Sequence, residues 1–367
     1  MSTSKSSSCF PLFKLRPDDM QSRLTPVSSE HISVVIQGPL YRALAPARGI
    51  EACISSVRAH LPHAEIIVST WAGEDLNGID ADLVVTPPDP GALVDFNGNR
   101  HNTNRQIVST LAGIQAASRQ YILKLRSDLI LTGSQIAVLG SYAATVPLAD
   151  RLLHQPITLT TLFIRNPAKV PLLFHISDLV QFGVREDMLR FWDQAPKLQH
   201  EVFTKEPYKN PIGNYVGYSA MRSTPEQCLM LGLMGKKGHN IQLKTPCDIS
   251  PELVRLSEKS LAENFTVLDW ESSEVDFPER FRKTGYSLKT IYKAGELAEV
   301  GSLSPKERQS RYRRIWLNKY VFNYGRLAWW IALASIILTF VSPNIAKSAR
   351  ATMRRLRGLE HPNKDRV

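Results

Sequence analysis

The sequence predicts an α/β protein: a sheet flanked by helices, followed by a helical tail at the C-terminus. Between Ile32 and about Asp128, short β-branched runs alternate with amphipathic segments, the pattern of strands and helices that build one sheet. The 367 residues are 43% hydrophobic and 22% charged, which suits a globular chain and excludes a disordered, collagenous or disulfide-framework one. Near the end, LAWWIALASIILTFV (Leu327–Val341) runs fifteen residues without a charge.

The elements follow in order. Met1 to Glu30 is Ser-rich with no continuous apolar stretch, so it reads as a loose arm (residues 1–30) and not a secretory signal. His31 to Ile36 is a strand stopped by Gly38-Pro39. Gly49 to Leu61 places Ile50, Cys53, Ile54, Val57 and Leu61 on one helical face and ends at Pro62. Ala64 to Val68 and Asp82 to Val85 are the next strands, followed by a Pro/Gly-rich loop. Thr103 to Ser118 is a helix with Ile107, Leu111 and Ile114 on one face, and Thr103-x-x-Gln106 reads as a capping box. Tyr121 to Leu125 is a fourth strand.

The second half is less regular. Ile157 to Ile164 and Leu172 to Phe182 read as strands, Arg185 to Trp192 and Pro225 to Leu233 as helices. Gly232-x-x-Gly235-x-x-Gly238 follows a helix and does not open one, so it reads as helix termination and not a phosphate loop.

Charge divides the chain. From Pro305 onward there are 14 basic and 3 acidic residues, while the first 304 hold 31 of each. A nucleic-acid reader spreads basic charge over its binding domain, so nucleic acid is excluded as a partner. The four cysteines are scattered without a C-x-x-C pair, which argues against zinc and for a reducing compartment. The apolar run would make a helix of about 22 Å, against a bilayer core of about 30 Å. Basic residues flank it on both sides, and Trp329 and Trp330 suit a headgroup level. The tail, 305–367, is therefore expected to associate with an anionic membrane surface; a buried core helix is the competing reading.

Candidate chemistry sits at strand ends. If strand four stays extended, Lys124, Arg126 and Asp128 share a face at its C-terminal end, where open α/β sheets bind ligands. The cations suit a diphosphate, and the carboxylate suits a divalent ion or a ribose hydroxyl; a solvated strand end with a local ion pair explains the same residues. Gln37 and Gly38 end the first strand, and Ser69, Thr70 and Trp71 the second. Asn97, Asn99, Asn102, Asn104 and Arg105 crowd the start of the second helix, where an anion fits, as does an ordinary turn. His175, Asp178 and Glu226 lie beside apolar elements. A carboxylate there could take a proton from a sugar hydroxyl. Alternatively, His175 is a core histidine and Glu226 a first-turn acid whose pKa the helix dipole lowers.

Six blocks in this order, ISVVIQGPLYR, ISSVRAHLPHAEIIVSTWAGED, NRQIVST, YILKLRSDLILTG, HISDLVQFG and PEQ, resemble the WavE lipopolysaccharide synthesis family over roughly Ile32 to Asp269. The resemblance implies a GT-A-like glycosyltransferase domain over 31–304, with a nucleotide-binding half (31–133) and an acceptor half (134–304). It implies that Gln37, Gly38, Ser69, Thr70 and Trp71 hold the nucleoside of a nucleotide-sugar. It puts Lys124, Arg126 and Asp128 at the usual Asp-x-Asp position, with Arg126 in place of the first Asp. Mn²⁺ or Mg²⁺ on Asp128 and a metal-free site are both left open. The expectation is a sugar transferase at the cytoplasmic side of the bacterial inner membrane, acting on a lipid-linked saccharide. Its catalytic residues would be Glu226, Asp178 and Asp128, with His175 and Asp178 facing the acceptor. A sugar nucleotidyltransferase and a non-catalytic membrane adaptor are the rivals.

Overall fold

A computed structural model describes residues 24–42, 48–95, 100–204, 221–282, 288–325 and 327–356. Residues 1–23 of the arm, Asn97, Asn99, Arg326 and Arg357 lie outside them.

Seven strands form the central sheet: β1 (Ile32–Gln37), β2 (Glu65–Ser69), β3 (Leu83–Val85), β4 (Tyr121–Arg126), β5 (Ile157–Thr160), β6 (Gln181–Val184) and β7 (Phe265–Leu268). Their order is β7-β5-β6-β4-β1-β2-β3. Strands β4, β1, β2 and β3 are parallel, β6 runs antiparallel to both β4 and β5, and β7 is parallel to β5. The architecture is thus a mixed α/β fold with helices on both faces of a mixed sheet.

Every residue of β1 is buried, as a central strand covered on both faces must be. Alternation separates the two cores. Val34 and Ile36 join α1 (Ile50–His60) through Ile50, Cys53, Ile54 and Val57, while Val35 faces α2 (Thr103–Ala116) through Ile107 and Ile114. Each such fully buried aliphatic side chain contributes roughly 1.5–3 kcal/mol. Helix α2 approaches so closely that a Cβ on Gly113 would stand 2.4 Å from Val35 Cγ1. The second core half is closed by α3 (Arg185–Trp192), α4 (Pro225–Gly235), α5 (Pro251–Asn264) and α6 (Ala294–Gly301).

Several boundaries differ from the sequence expectation. The expected strand over 157–164 stops at Thr160, because Phe163 has φ 78°. Of the expected strand over 172–182, only its end pairs. Phe174 has φ 56° and its N–H bonds Ser257 Oγ at 2.7 Å, so this apolar run is buried without being extended. Thr103 is not a cap: Asn102 precedes the helix, and the Gln106 side chain turns elsewhere. Helix α4 does end in its glycines, with Gly238 at φ 84°. The body also starts before residue 31, since Thr25–Pro26 pairs antiparallel with Val138–Leu139.

The tail begins as α7 (Pro305–Tyr320), continues as α8 (Leu327–Val341) and ends as α9 (Pro343–Leu356). Helix α7 is docked on the body. Arg311 Nε pairs with Glu258 at 2.6 Å, and Lys319 Nζ donates to Cys247 O at 2.7 Å. These two basic residues therefore face protein and not a membrane. Among the described residues no helix is long and apolar enough to cross a membrane.

Candidate functional site

The chain moves outward from β1 to β2 and β3, then returns to the other side of β1 as β4. The C-terminal ends of β1 and β4 therefore flank a topological switch point, where open α/β sheets bind ligands. Gln37 and Arg126 are cross-strand partners there. Strand β6 runs the other way, so its leading segment, His175 to Val180, reaches the same edge: Gln181 pairs with Lys124.

The first group lies at the ends of β1 and β2. Gly38, at φ 98°, turns the chain and donates its N–H to Ser69 O at 3.0 Å; its conformation disfavours any residue with a Cβ. Ser109 Oγ donates to Gln37 Oε1 at 2.9 Å, and Ser69 Oγ donates to Ser109 O at 2.6 Å. Thr70 N–H bonds Val85 O, and Trp71 is largely buried beside it. Gln37, Gly38, Ser69, Thr70 and Trp71 are thus brought together. Asn104 and Arg105 are engaged by the protein itself. Asn104 clasps the Lys197 backbone at 2.9 and 2.7 Å, and Arg105 forks onto Asp89 at 2.9 and 2.6 Å, holding that carboxyl below its usual range.

The second group is arginine-rich. Asp128 is 0% exposed and lies in the turn after β4. Arg126 Nε donates to its Oδ1 at 3.1 Å, and Arg280 Nη2 pairs with Oδ2. Arg280 arrives because Val275–Asp276 pairs antiparallel with Ile130–Leu131, leading the chain into the short helix Glu279–Arg282. Phe281 lies 5.4 Å from the Arg126 guanidinium and 4.7 Å from that of Arg280. Lys124 does not join this face. It is 0% exposed, its Nζ donates to Asp178 O and sits 5.3 Å from the Trp192 ring, and burial holds its pKa down to about 7. The expected shared face of Lys124, Arg126 and Asp128 fails at Lys124, which lies two residues deeper in the strand, covered by Trp192 and bonded to Asp178 O.

The third group is acidic. The Glu226 carboxylate lies 3.5 Å from His175 Nε2. Asp178 accepts from Gln106 Nε2 at 2.7 Å. Helix α4 is fixed here by a Thr224/Gln227 capping box, and Gln227 Nε2 reaches back to Leu173 O at 2.8 Å, tying Glu226 to the segment that holds His175. Burial raises both carboxyl pKa values, and mutual repulsion adds to the rise at Asp178. The helix dipole was expected to lower Glu226; its side chain is only 15% exposed, and desolvation outweighs the N-terminal field. His175 is held down to about 3, first by burial and then by Arg165. Its Nδ1 faces Phe163 O at 2.8 Å, and a carbonyl only accepts, so the neutral ring carries its proton on Nδ1. Nε2 is then the ring's acceptor nitrogen and faces Glu226.

Buried polar atoms at this edge lack a partner among the described residues: Thr70 Oγ1, Gln106 Oε1, Thr160 Oγ1 and Ser177 Oγ. Such orphans are what a bound ligand satisfies. A groove of about 760 Å³ between α5 and α7 contains none of the residues named for chemistry.

The family model described as WavE lipopolysaccharide synthesis matches residues 32–351. The chain belongs to the WavE family. The match runs past Asp269 and includes α7, α8 and most of α9, so the tail is part of the family's pattern and not an addition to it. No curated protein matches the chain. Membership ties this WavE protein to lipopolysaccharide synthesis.

A metal ion on Asp128 was one expectation. Both carboxylate oxygens already face guanidinium groups, and the described residues contain no group of three His, Cys, Asp or Glu able to hold an ion. The residues present do not fit a metal. Sequence reasoning missed Arg280, Phe281 and the role of Gln106. The first two carry no local signal, and Gln106 was explained by a capping pattern.

Proposed function

We propose that this WavE protein is a GT-A-like glycosyltransferase that moves a sugar from a nucleotide-sugar donor to a lipid-linked saccharide during lipopolysaccharide or surface-polysaccharide assembly. The observation that carries the reading is the convergence, at one sheet edge, of a guanidinium cluster and a pair of buried carboxyls with raised pKa values. Gln37, Gly38, Ser69, Thr70 and Trp71 line the side where the nucleoside would rest. Arg126 faces the departing diphosphate, and stabilising such developing charge is usually a large catalytic contribution.

Glu226 is the base in an inverting transfer. The acceptor hydroxyl gives its proton to the Glu226 carboxylate, and the oxygen attacks the anomeric carbon. The bond to the diphosphate breaks, with its electron pair leaving on the diphosphate oxygen. A raised pKa makes the carboxylate a stronger base than an ordinary surface Glu. Asp178, held by Gln106 Nε2, orients the acceptor with His175. The two carboxyls differ in environment, which is how acid and base roles separate.

The tail serves the acceptor. Leu327, Trp330, Ile337 and Val341 form an exposed apolar stripe along α8, and Ile345, Met353 and Leu356 expose another on α9. Helix α9 also carries Lys347, Arg350, Arg354 and Arg355. Basic amphipathic helices of this kind lie in the plane of an anionic membrane. Held at the cytoplasmic face of the inner membrane, the enzyme meets lipid-linked acceptor at raised effective concentration.

Incubating the full chain with nucleotide-sugars and lipid-linked glycan extract, and following sugar transfer by mass spectrometry, tests the reading. Transfer by wild type but not by Glu226→Gln is the expected result. Turnover without any saccharide acceptor, or release of pyrophosphate, would point to a hydrolase or nucleotidyltransferase instead. Donor binding with no transfer would point to an adaptor.

A further inference from the structure

We infer that Arg126, Asp128 and Arg280 form a metal-independent clamp for the diphosphate of a nucleotide-sugar, with Arg280 a binding residue and Asp128 a positioning residue. The inference rests on the transferase reading above and adds what neutralises the diphosphate.

The geometry assigns the roles. Asp128 is fully buried with both oxygens taken, so it has none free for a cation or a ligand. The side chains it holds are partly exposed, 18% for Arg126 and 31% for Arg280. Arg126 uses Nε on Asp128, and among the described residues nothing accepts from its two terminal nitrogens. A buried carboxylate that fixes two partly exposed arginines presents a preorganised fork, the geometry that suits phosphate oxygens. Two positive charges against one negative leave the triad net cationic. The crowding is visible at Arg280, whose pKa is pushed down to about 10 by burial and by Arg126. An anion would relieve it.

The surroundings support the assignment. Phe281 packs against both guanidiniums, and Tyr41 hydrogen-bonds Arg280, its ring lying 5.3 Å away. Phe163, held at φ 78°, meets Phe281 edge-on at 5.7 Å. Aromatic faces restrain the forks without neutralising them. Arg48, which is also close, is committed elsewhere: it pairs with the Asp276 carboxylate and reaches Asp128 O at 3.4 Å. The net positive charge is therefore concentrated on Arg126 and Arg280, beside the end of β1.

Calorimetric titration of the full chain with uridine, guanosine, cytidine and adenosine diphosphates, and with their parent nucleosides, tests the clamp. Each is run in EDTA and in Mn²⁺. At least one diphosphate should bind equally in both, within about twofold. Arg280→Met should weaken that diphosphate by about 10- to 100-fold, the range for losing a charged hydrogen-bond partner, and leave nucleoside affinity unchanged. Arg280→Lys should recover part of the loss, and matching thermal melts establish that the variants are folded. Binding that requires Mn²⁺, or an Arg280→Met variant that binds diphosphate as wild type does, would overturn the clamp while leaving the transferase reading intact. No diphosphate binding by the folded wild-type chain would remove the transferase reading and the clamp together.

Discussion

His175 makes the protein acid-sensitive, and the size of the effect follows from where the ring sits. Its folded pKa is held to about 3 against an ordinary 6.5 because the imidazolium would be buried beside Arg165. Between those values the unfolded chain binds a proton that the folded chain refuses, so stability falls as pH drops through 6.5 and levels off below about 3. At about 1.4 kcal/mol per pH unit, moving from pH 7.5 to 5 costs about 2 kcal/mol through this residue. His101 is buried too, held to about 4 by desolvation, and adds a similar loss over the same interval. Asp178 and Glu226 work in the opposite sense, since their raised pKa values let the folded state take protons first. A difference between variants isolates the histidine. In His175→Asn the side-chain amide keeps an N–H near the Phe163 carbonyl and removes the titrating nitrogen. Urea unfolding followed by circular dichroism at pH 7.5, 6.5, 5.5 and 5 gives both slopes. Wild type should lose about 2 kcal/mol more than His175→Asn over this range. Parallel slopes would refute the claim that burial keeps this imidazole neutral.

Glu226→Gln should lower turnover by about 10²- to 10⁴-fold, the usual contribution of a general base, with little change in donor affinity. The acid limb of the wild-type pH–rate profile should lie above the ordinary Glu range, because burial raises this carboxyl; steady-state assays across pH check both points. Gly113→Ala should destabilise by roughly 1–3 kcal/mol, read from urea unfolding, because its Cβ would press on Val35 Cγ1 at 2.4 Å and Ser69 Cβ at 3.1 Å, and α2 can retreat only by loosening its packing on the sheet. Flotation with vesicles should show the full chain on phosphatidylglycerol-containing membranes and, at low salt, only weakly on neutral ones. Ile337→Glu together with Ile345→Glu should release it, and retention by that variant would remove the tail as the membrane-binding face.

Local chemistry made much of this protein legible in one dimension. The runs at β1, β2 and β4 follow from continuous apolar stretches bounded by turn residues, and the helices around them from period-3.6 hydrophobicity, both of which depend only on neighbours in sequence. The fifteen-residue apolar helix came out with its expected ends for the same reason, since nothing in it competes with helix formation. Expectation failed where burial stopped being periodic. The stretch from Leu172 to Val180 is apolar enough for a strand, yet its backbone is claimed by Ser257 and by the Gln227 side chain, partners 83 and 54 residues away.

The site divides in the same way. Sequence alone put Arg126 and Asp128 at a strand end and flagged His175, Asp178 and Glu226, because charged groups beside apolar runs stand out without any fold. What surrounds each was decided only by tertiary contact. Lys124 has the same local pattern as Arg126 but is fully buried against Trp192 and bonded to Asp178 O. The pKa of Glu226 rises instead of falling, because desolvation depends on what packs over a helix terminus and the dipole does not. Arg280 lies 152 residues from Asp128 and meets it only because Val275–Asp276 is stitched to the turn after β4. Element identity rests on interactions within a few residues, which the sequence lists directly. The balance between a buried charge and its partner rests on groups distant in the chain, which only the folded arrangement brings within reach.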